Sequence, residues 1–151
     1  MLHFEDDTNF SQPPGFVWAK LADIKFLVTC IPDLESATPR DDGSAVCIIR
    51  PGFSFVRGTL DVTMQIVEAV ENKLLRIQAH GKGIGSSNDV ELALHFAERD
   101  GGTRIHWTAD ITHLGGLLKA LPQGLLKGAA QKVIGDVWER VKVKMGEGGK
   151  P

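Results

Sequence analysis

Tyrosine is absent from this 151-residue chain, cysteine occurs twice, and no apolar run approaches the roughly 18 residues that a membrane-spanning helix requires. The N-terminus lacks the basic and apolar segments of a secretory leader. Cys30 and Cys47 have no CxxC spacing and no neighbouring histidine, so neither a disulfide framework nor a zinc site is expected. We therefore expect a cytoplasmic protein with two buried thiols.

A strong net charge is also missing. Seventeen Lys and Arg residues stand against nineteen Asp and Glu residues, which gives a formal charge of −2. Such a balance produces no global field that would attract a polyanion, so nucleic acid is not an expected partner.

Signatures of catalysis and of metal or nucleotide binding are lacking as well. The sequence has no GxSxG nucleophile elbow, and its histidines show no HxH or HxxxH spacing. His80, His95 and His106 fall on the polar phase of strand-like segments, which is typical of a solvated sheet face. The glycine-rich segment 81–85 is not followed by the helix that would hold a phosphate. We expect no catalytic residue, no metal and no cofactor.

The apolar residues that are present change their period along the chain. The period is two from about residue 34 to 111, and it becomes 3.6 beyond Gly115-Gly116. A short strand over residues 2–9 and two short helices, the second capped by Asp23, precede this region. The pattern predicts an α+β fold in which about seven antiparallel strands curve around one long C-terminal helix.

This arrangement is expected to form one domain over residues 1–145, followed by a disordered tail over 146–151. The long helix should begin between about residues 115 and 124 and end near 145, with Trp138 buried against the sheet. Turns are predicted at 41–44, 71–72, 86–88 and 100–102.

The inward side chains of one predicted strand decrease in size along the chain. Leu75 and Ile77 are followed by Ala79, Gly81 and Gly83, so the interior empties toward the end of this strand. Bulky residues collect at the opposite end. Because packed interiors avoid voids, this wedge predicts a ligand cavity beneath the N-terminal half of the helix. The predicted lining consists of Val56, Ala79, Gly81, Val90, Leu92, Trp107, Ala109, Ile111, Leu118, Leu121 and Leu125.

The same glycines permit another interpretation, in which they only let the sheet bend or the helix pack closely and the interior is filled. Phe53 and Phe55 follow Pro51-Gly52 at this end of the molecule. They are either lid residues or part of the packing at the edge of the core.

Five short motifs are informative when compared with known families: Val17-Trp18, Cys30-Ile31-Pro32-Asp33, His80-Gly81-Lys82-Gly83, Gly102-Thr103-Arg104-Ile105 and Gly115-Gly116. Together they resemble the carbon monoxide dehydrogenase CoxG family of the SRPBCC superfamily, which includes START domains and the birch-pollen allergen. The similarity extends over about residues 2–142. The resemblance implies a helix-grip fold and an accessory protein of a molybdenum-containing dehydrogenase, with a cavity for a quinone- or lipid-like molecule.

Residues and resemblance together predict a carrier of a hydrophobic small molecule that is not an enzyme. One rival is a polyketide cyclase- or aromatase-like enzyme on the same fold, which would need polar groups on the inward face. A second rival is a protein-interaction module, which would need no cavity.

The C-terminal part of the chain is locally basic. Residues 115–151 contain seven Lys and Arg residues and three Asp and Glu residues. This surface is either simply solvated or docks to an acidic partner or peripherally to the inner membrane face. The lysines concerned are Lys119, Lys127, Lys132, Lys142 and Lys144.

Overall fold

The computed structural model describes residues 2–52 and 58–146. Its elements are β1 (Leu2–Phe10), α1 (Pro14–Leu21), α2 (Ile24–Val28), β2 (Leu34–Pro39), β3 (Ser44–Ile49), β4 (Leu60–Val70), β5 (Leu74–Gly83), β6 (Ser86–Arg99), β7 (Gly102–Gly116), α3 (Leu117–Ala120) and α4 (Gln123–Lys144). This order confirms the predicted α+β helix-grip architecture. Phe53, Phe55, Val56 and the predicted tail beyond Gly146 lie outside the described residues.

The described strands form one antiparallel sheet in the order β1-β7-β6-β5-β4-β3-β2. Strands β2 to β7 follow one another as a meander, and β1 joins the far side of β7. Helices α1 and α2 therefore connect the two edge strands. Their apolar residues Val17, Leu21 and Ile24 belong to the same core cluster as Leu75 and Ile105 of the sheet. The two short helices thus pack across the concave face.

The period of two seen in the sequence places apolar side chains on the concave face. In β5, Leu75 and Ile77 are buried, whereas the intervening Arg76 and Gln78 are exposed. In a strand successive side chains point to opposite faces, so every second residue joins the core. The convex face is left to polar residues.

Two of the hairpins turn through consecutive residues with positive φ. Asp100 and Gly101 have φ of 53° and 83° and connect β6 to β7, in agreement with the predicted turn. The turn predicted at 86–88 is wrong, because β6 already begins at Ser86. Ile84 and Gly85 make this turn instead, with φ of 57° and 68°, as a two-residue turn between twisted strands requires. Asn88 is consequently a strand residue.

Helix α4 is attached firmly at its C-terminal end. Val141 and Met145 are 1% and 6% exposed, and the Gln12 side-chain amide donates to the Met145 carbonyl oxygen. Lys142 Nζ donates to the Asn9 carbonyl oxygen at 3.1 Å. This end satisfies helix carbonyls and buries apolar area at the same time.

The remainder of α4 packs more loosely than its sequence suggested. Val141 is the single buried residue of the helix, and Trp138 is partly rather than fully buried. Leu121 and Pro122 separate the one-turn helix α3 from α4, as expected for a proline at this position. The bounds of α4 agree with the predicted long helix.

Candidate functional site

A cavity of about 390 Å³ lies between the concave face of the sheet and α4. Strands β4 to β7 supply one wall, α4 supplies the other, and α1 and α2 contribute Leu21 and Leu27. Nearly all of its described lining residues are aliphatic or aromatic. A space of this size and character is typical of sites that bind small apolar molecules.

Seven of the eleven predicted lining residues line this cavity. They are Ala79, Val90, Leu92, Trp107, Ala109, Ile111 and Leu118. Ala109 is 2% exposed and joins Leu2 and Phe4 in a second small core cluster. The small residues Ala79 of β5 and Ala109 of β7 therefore lie against empty volume. Whether a ligand occupies this volume remains a prediction.

Gly81 does not belong to the lining, although the sequence suggested that it opens the interior. An added Cβ at Gly81 would lie 2.9 Å from Oδ1 and 3.2 Å from Nδ2 of Asn88. The Asn88 side chain, which does line the cavity, therefore packs over the glycine. Gly81 makes room for an amide rather than for a ligand.

Leu121 and Leu125 are also outside the described lining. Leu121 has an extended backbone at the end of α3, so it does not continue a helical stripe. Leu125 is 42% exposed, and its neighbour Leu126 lines the cavity. Leu125 therefore lies outside the face of α4 that lines the cavity, to which Leu126, Ala129 and Ala130 belong.

The cavity extends further along α4 than predicted. Its lining includes Leu126 near the start of the helix and Val141 near its end. The cavity predicted from the sequence lies only beneath the N-terminal half of the helix. The bulky residues Leu94 and Trp138 are expected to fill the other end. Both instead line the space. Side-chain size alone did not predict how far the helix stands from the sheet.

Two indole rings shape one part of the cavity. Trp107 and Trp138 both line it, with ring centroids 6.1 Å apart, and Phe10 lies 6.3 Å from Trp138. Such tilted aromatic pairs are stabilising and present flat apolar surfaces. The third tryptophan, Trp18, is not part of the lining and donates from Nε1 to the Leu74 carbonyl oxygen at 3.1 Å.

Asn88 and Thr108 are the polar residues of the described lining. Thr108 shares the phase of β7 with His106 and Asp110, which take part in ion pairs on the convex face. Asn88 shares the phase of β6 with the lining residues Val90 and Leu92. Alternation thus leaves Asn88 as the polar side chain that faces the cavity.

His80, His95 and His106 lie on the convex face, as predicted. Here a continuous network of alternating acids and bases fastens the edge strand β1 to β7. Its members are Asp110, His3, Glu5, His106, Asp7 and Arg104. His3 donates to Glu5 at 2.8 Å and also to Asp110, and His106 donates to Asp7 at 2.7 Å. On β5 and β6, His80 pairs with Asp89 at 2.5 Å.

The partners of this network shift its titration. The hydrogen bond to Glu5 raises the pKa of His3, and the one to Asp7 raises the pKa of His106. The bond from His3 lowers the pKa of Glu5, and Arg104 lowers that of Asp7. Within residues 2–52 and 58–146, no cluster of His, Cys, Asp and Glu side chains is arranged to hold a metal ion.

Some lysines of the C-terminal region contact other residues, and others are exposed. Lys132 pairs with Asp136 at 3.0 Å, and Lys142 lies 5.4 Å from the ring centroid of Phe10 in addition to its backbone contact. Lys119, Lys127 and Lys144 are exposed. No helix in the described part of the chain is both long and apolar enough to span a bilayer.

Cys30 and Cys47 are free and fully buried, as the sequence suggested. Burial in the core raises the pKa of both thiols. They are therefore packing residues with little thiolate character.

Comparison with solved structures supports the fold assignment. A conserved protein from Geobacillus kaustophilus superimposes with a TM-score of 0.87 at 20% identity, covering 97% of this chain and 96% of that one. Mll3558 from Rhizobium loti gives 0.67 at 17% identity, with 94% and 95% covered. Ara h 8.0201 gives 0.66 at 16% identity, with 95% and 96% covered. At these identities the likeness shows the fold alone.

The comparison with family models is more specific. No curated protein matches the chain. Residues 8–146 match the model of CoxG, a subunit of carbon monoxide dehydrogenase, in agreement with the motifs of the sequence. Because this match extends over most of the chain, the protein belongs to the carbon monoxide dehydrogenase CoxG family.

Proposed function

We propose that this protein is a non-catalytic carrier that holds a quinone- or lipid-like molecule in its cavity and serves a molybdenum-containing dehydrogenase. The observation that supports this most strongly is the apolar cavity of about 390 Å³ between the sheet and α4. Volumes of roughly 300–1,000 Å³ accommodate drug-sized ligands and cofactors. An unfilled apolar space of this size forfeits dispersion contacts, which a bound apolar molecule would restore.

The chemistry of the lining favours a carrier over an enzyme of the cyclase type. The described lining residues include no side chain that titrates and only one inward amide, Asn88. General acid–base catalysis requires a titratable group within hydrogen-bond reach of the reacting atoms. The cavity also favours a carrier over an interaction module, because a module would gain stability from a filled interior.

Family membership supports the choice of partner. The family takes its name from carbon monoxide dehydrogenase, and we propose an enzyme of that type as the acceptor or donor of the ligand. Lys119 and Lys127 lie in the loosely packed part of the helices, whereas Lys144 lies at the firmly attached end of α4. All three are exposed and available for an acidic partner or anionic lipid. We place the carrier in the cytoplasm, with peripheral contact at the inner membrane face.

Native mass spectrometry of protein purified from its own host tests this proposal. We expect a second mass peak that corresponds to a bound molecule and disappears after extraction with organic solvent. The extract should contain a quinone or a lipid. A carrier is contradicted if the chain always has its bare mass and also takes up no added quinone or lipid.

A further inference from the structure

One polar group stands out within the apolar cavity. Asn88 lies on the inward phase of β6, its side chain lines the cavity, and the residue is partly buried. No hydrogen bond to its side-chain amide is formed by any described residue. An amide without a protein partner keeps its donors and acceptor free for a bound molecule, whereas an apolar side chain there would only complete the lining.

The fold holds this amide in place. Gly81 of β5 pairs directly with Asn88 of β6, and Leu114 of β7 pairs with it on the other side. Any Cβ at position 81 would lie 2.9 Å from Asn88 Oδ1 and 3.3 Å from its Cγ, closer than ordinary packing allows. The glycine therefore leaves space that only the amide occupies.

Asn88 also lies at one end of the cavity. Leu114 and Leu118 line the same end, and the backbone of Leu118 donates to Ser86 Oγ at 3.2 Å, which ties α3 to the start of β6. The tryptophans and Val141 line the other end. An elongated ligand with one polar group therefore has one favourable orientation, with its apolar body against the indole rings.

We infer that Asn88 recognises the polar end of the ligand by donating its amide N–H to a carbonyl oxygen, and that Gly81 positions the amide. This inference rests on the proposed carrier function. It assigns the ligand to the class of apolar molecules that carry a carbonyl group, such as a quinone or a lipid ester. It also predicts discrimination against hydrocarbons of the same shape, because these leave the amide unpaired.

Competition against the fluorescent probe N-phenyl-1-naphthylamine measures this preference. The quinone arm compares 2,3-dimethyl-1,4-naphthoquinone with 2,3-dimethylnaphthalene, and the ester arm compares methyl octanoate with decane. We expect the wild type to prefer the carbonyl compound in at least one arm by about tenfold, the worth of one hydrogen bond in an apolar site. The arm with the larger preference identifies the source of the carbonyl group.

Amino-acid substitutions show which residues produce the preference for the carbonyl compound. Asn88→Leu should abolish it while hydrocarbon binding is retained, and Gly81→Ala should reduce it by displacing the amide. Gln78→Leu removes an exposed amide on the other face of β5, so it is the matched control and should preserve the preference. Each ratio is measured within one variant, so a modest loss of stability does not affect it.

The outcomes separate the two proposals. If the wild type binds carbonyl compounds and hydrocarbons equally well, or if Asn88→Leu keeps the preference, the role of Asn88 is overturned and the carrier function stands. If no probe binds the wild type, the carrier function fails and this inference fails with it.

Discussion

The two ends of α4 differ in how they contact the sheet. At the C-terminal end Val141 and Met145 are buried, and hydrogen bonds of Gln12 and Lys142 join this end to the last residues of β1 and the segment after it. Nearer the N-terminal end, Leu125 and Val133 are 42% and 39% exposed. Val133 nevertheless lines the cavity, which places it at the rim. The C-terminal end of α4 is therefore anchored to β1 and the segment after it, whereas the rest of the helix packs loosely over the cavity.

This difference separates the residues that stabilise the fold from those that surround the cavity. The fully buried side chains Val17, Leu75 and Ile105 lie in the main core cluster and outside the cavity lining. Close packing there supplies dispersion and hydrophobic stabilisation, at roughly 25 cal/mol for each Å² of apolar area buried. The residues around the cavity forgo part of that stabilisation. A protein with such a cavity stays folded because the closely packed core supplies the free energy of folding.

Truncating one leucine in each region should give the largest contrast. Leu75 is 0% exposed and outside the lining, whereas Leu118 is partly exposed and lines the cavity. Leu75→Ala should lower the free energy of unfolding by about 2–5 kcal/mol, because it leaves a void in a packed core. Leu118→Ala only enlarges an existing space and should cost about 1 kcal/mol or less. Urea denaturation measures both, and equal losses would contradict the contrast.

A larger side chain inside the cavity should weaken ligand binding but leave the free energy of unfolding almost unchanged. Ala109 lines the cavity, whereas Ala97 of β6 is exposed. Ala109→Leu should reduce the affinity for a hydrophobic probe by about tenfold or more, with a change in unfolding free energy below about 1 kcal/mol. Ala97→Leu is the control and should leave probe binding unchanged. A loss of about 1–3 kcal/mol in Ala109→Leu would instead indicate that the site is already packed.

The smallest expected effect concerns how β1 is held near the cavity. Phe4 of β1 lines the cavity and pairs with Ala109, and the His3 and His106 network fastens the opposite face of the same strands. The raised histidine pKa values mean that this network stabilises the fold fully below their ordinary value of 6.5 and loses that contribution as pH rises through the raised values.

The carboxylates act in the opposite direction. The lowered pKa values of Glu5 and Asp7 mean that their stabilisation is present above their ordinary values of 4.5 and 3.8, and is lost in more acidic solution. The thermal stability of the wild type relative to a His3→Gln/His106→Gln variant should therefore be greatest between about pH 5 and 6.5. It should shrink by pH 8.5 and with added salt, because exposed ion pairs are screened. A difference that is the same at every pH would refute this role.

Much of this arrangement could be predicted from the sequence because periodicity reports which face is buried. The alternation along β4 to β7 predicted the concave face, and six of the lining residues follow from it. The change to a period of 3.6 beyond Gly115-Gly116 predicted the long C-terminal helix. Both signals are local, and neither depends on the distance between the helix and the sheet.

Two features could not be predicted: the register between neighbouring strands and the rotation of α4 about its own axis. Asn88 was assigned to a turn because Ser-Ser-Asn is typical of turns, whereas Ile84-Gly85 makes the turn and brings Asn88 beside Gly81. Leu125 is predicted to line the cavity, but α4 is rotated so that the next residue, Leu126, lines it instead. In each case a shift of one or a few positions decides which side chain enters the site.

The central claim is that the space beneath α4 holds a hydrophobic ligand, and tryptophan fluorescence tests it directly. Trp107 and Trp138 line the cavity, whereas Trp18 does not. In a Trp18→Phe variant, the emission comes from the two lining indoles alone.

Titration of that variant with 2,3-dimethyl-1,4-naphthoquinone, a quencher of indole emission, should give saturable quenching with one quinone per chain. Adding Ala109→Leu should shift the midpoint to at least about tenfold higher concentration. Quenching that rises linearly without saturation, and equally in both variants, would show that the quinone collides with the protein from solvent and would contradict the account.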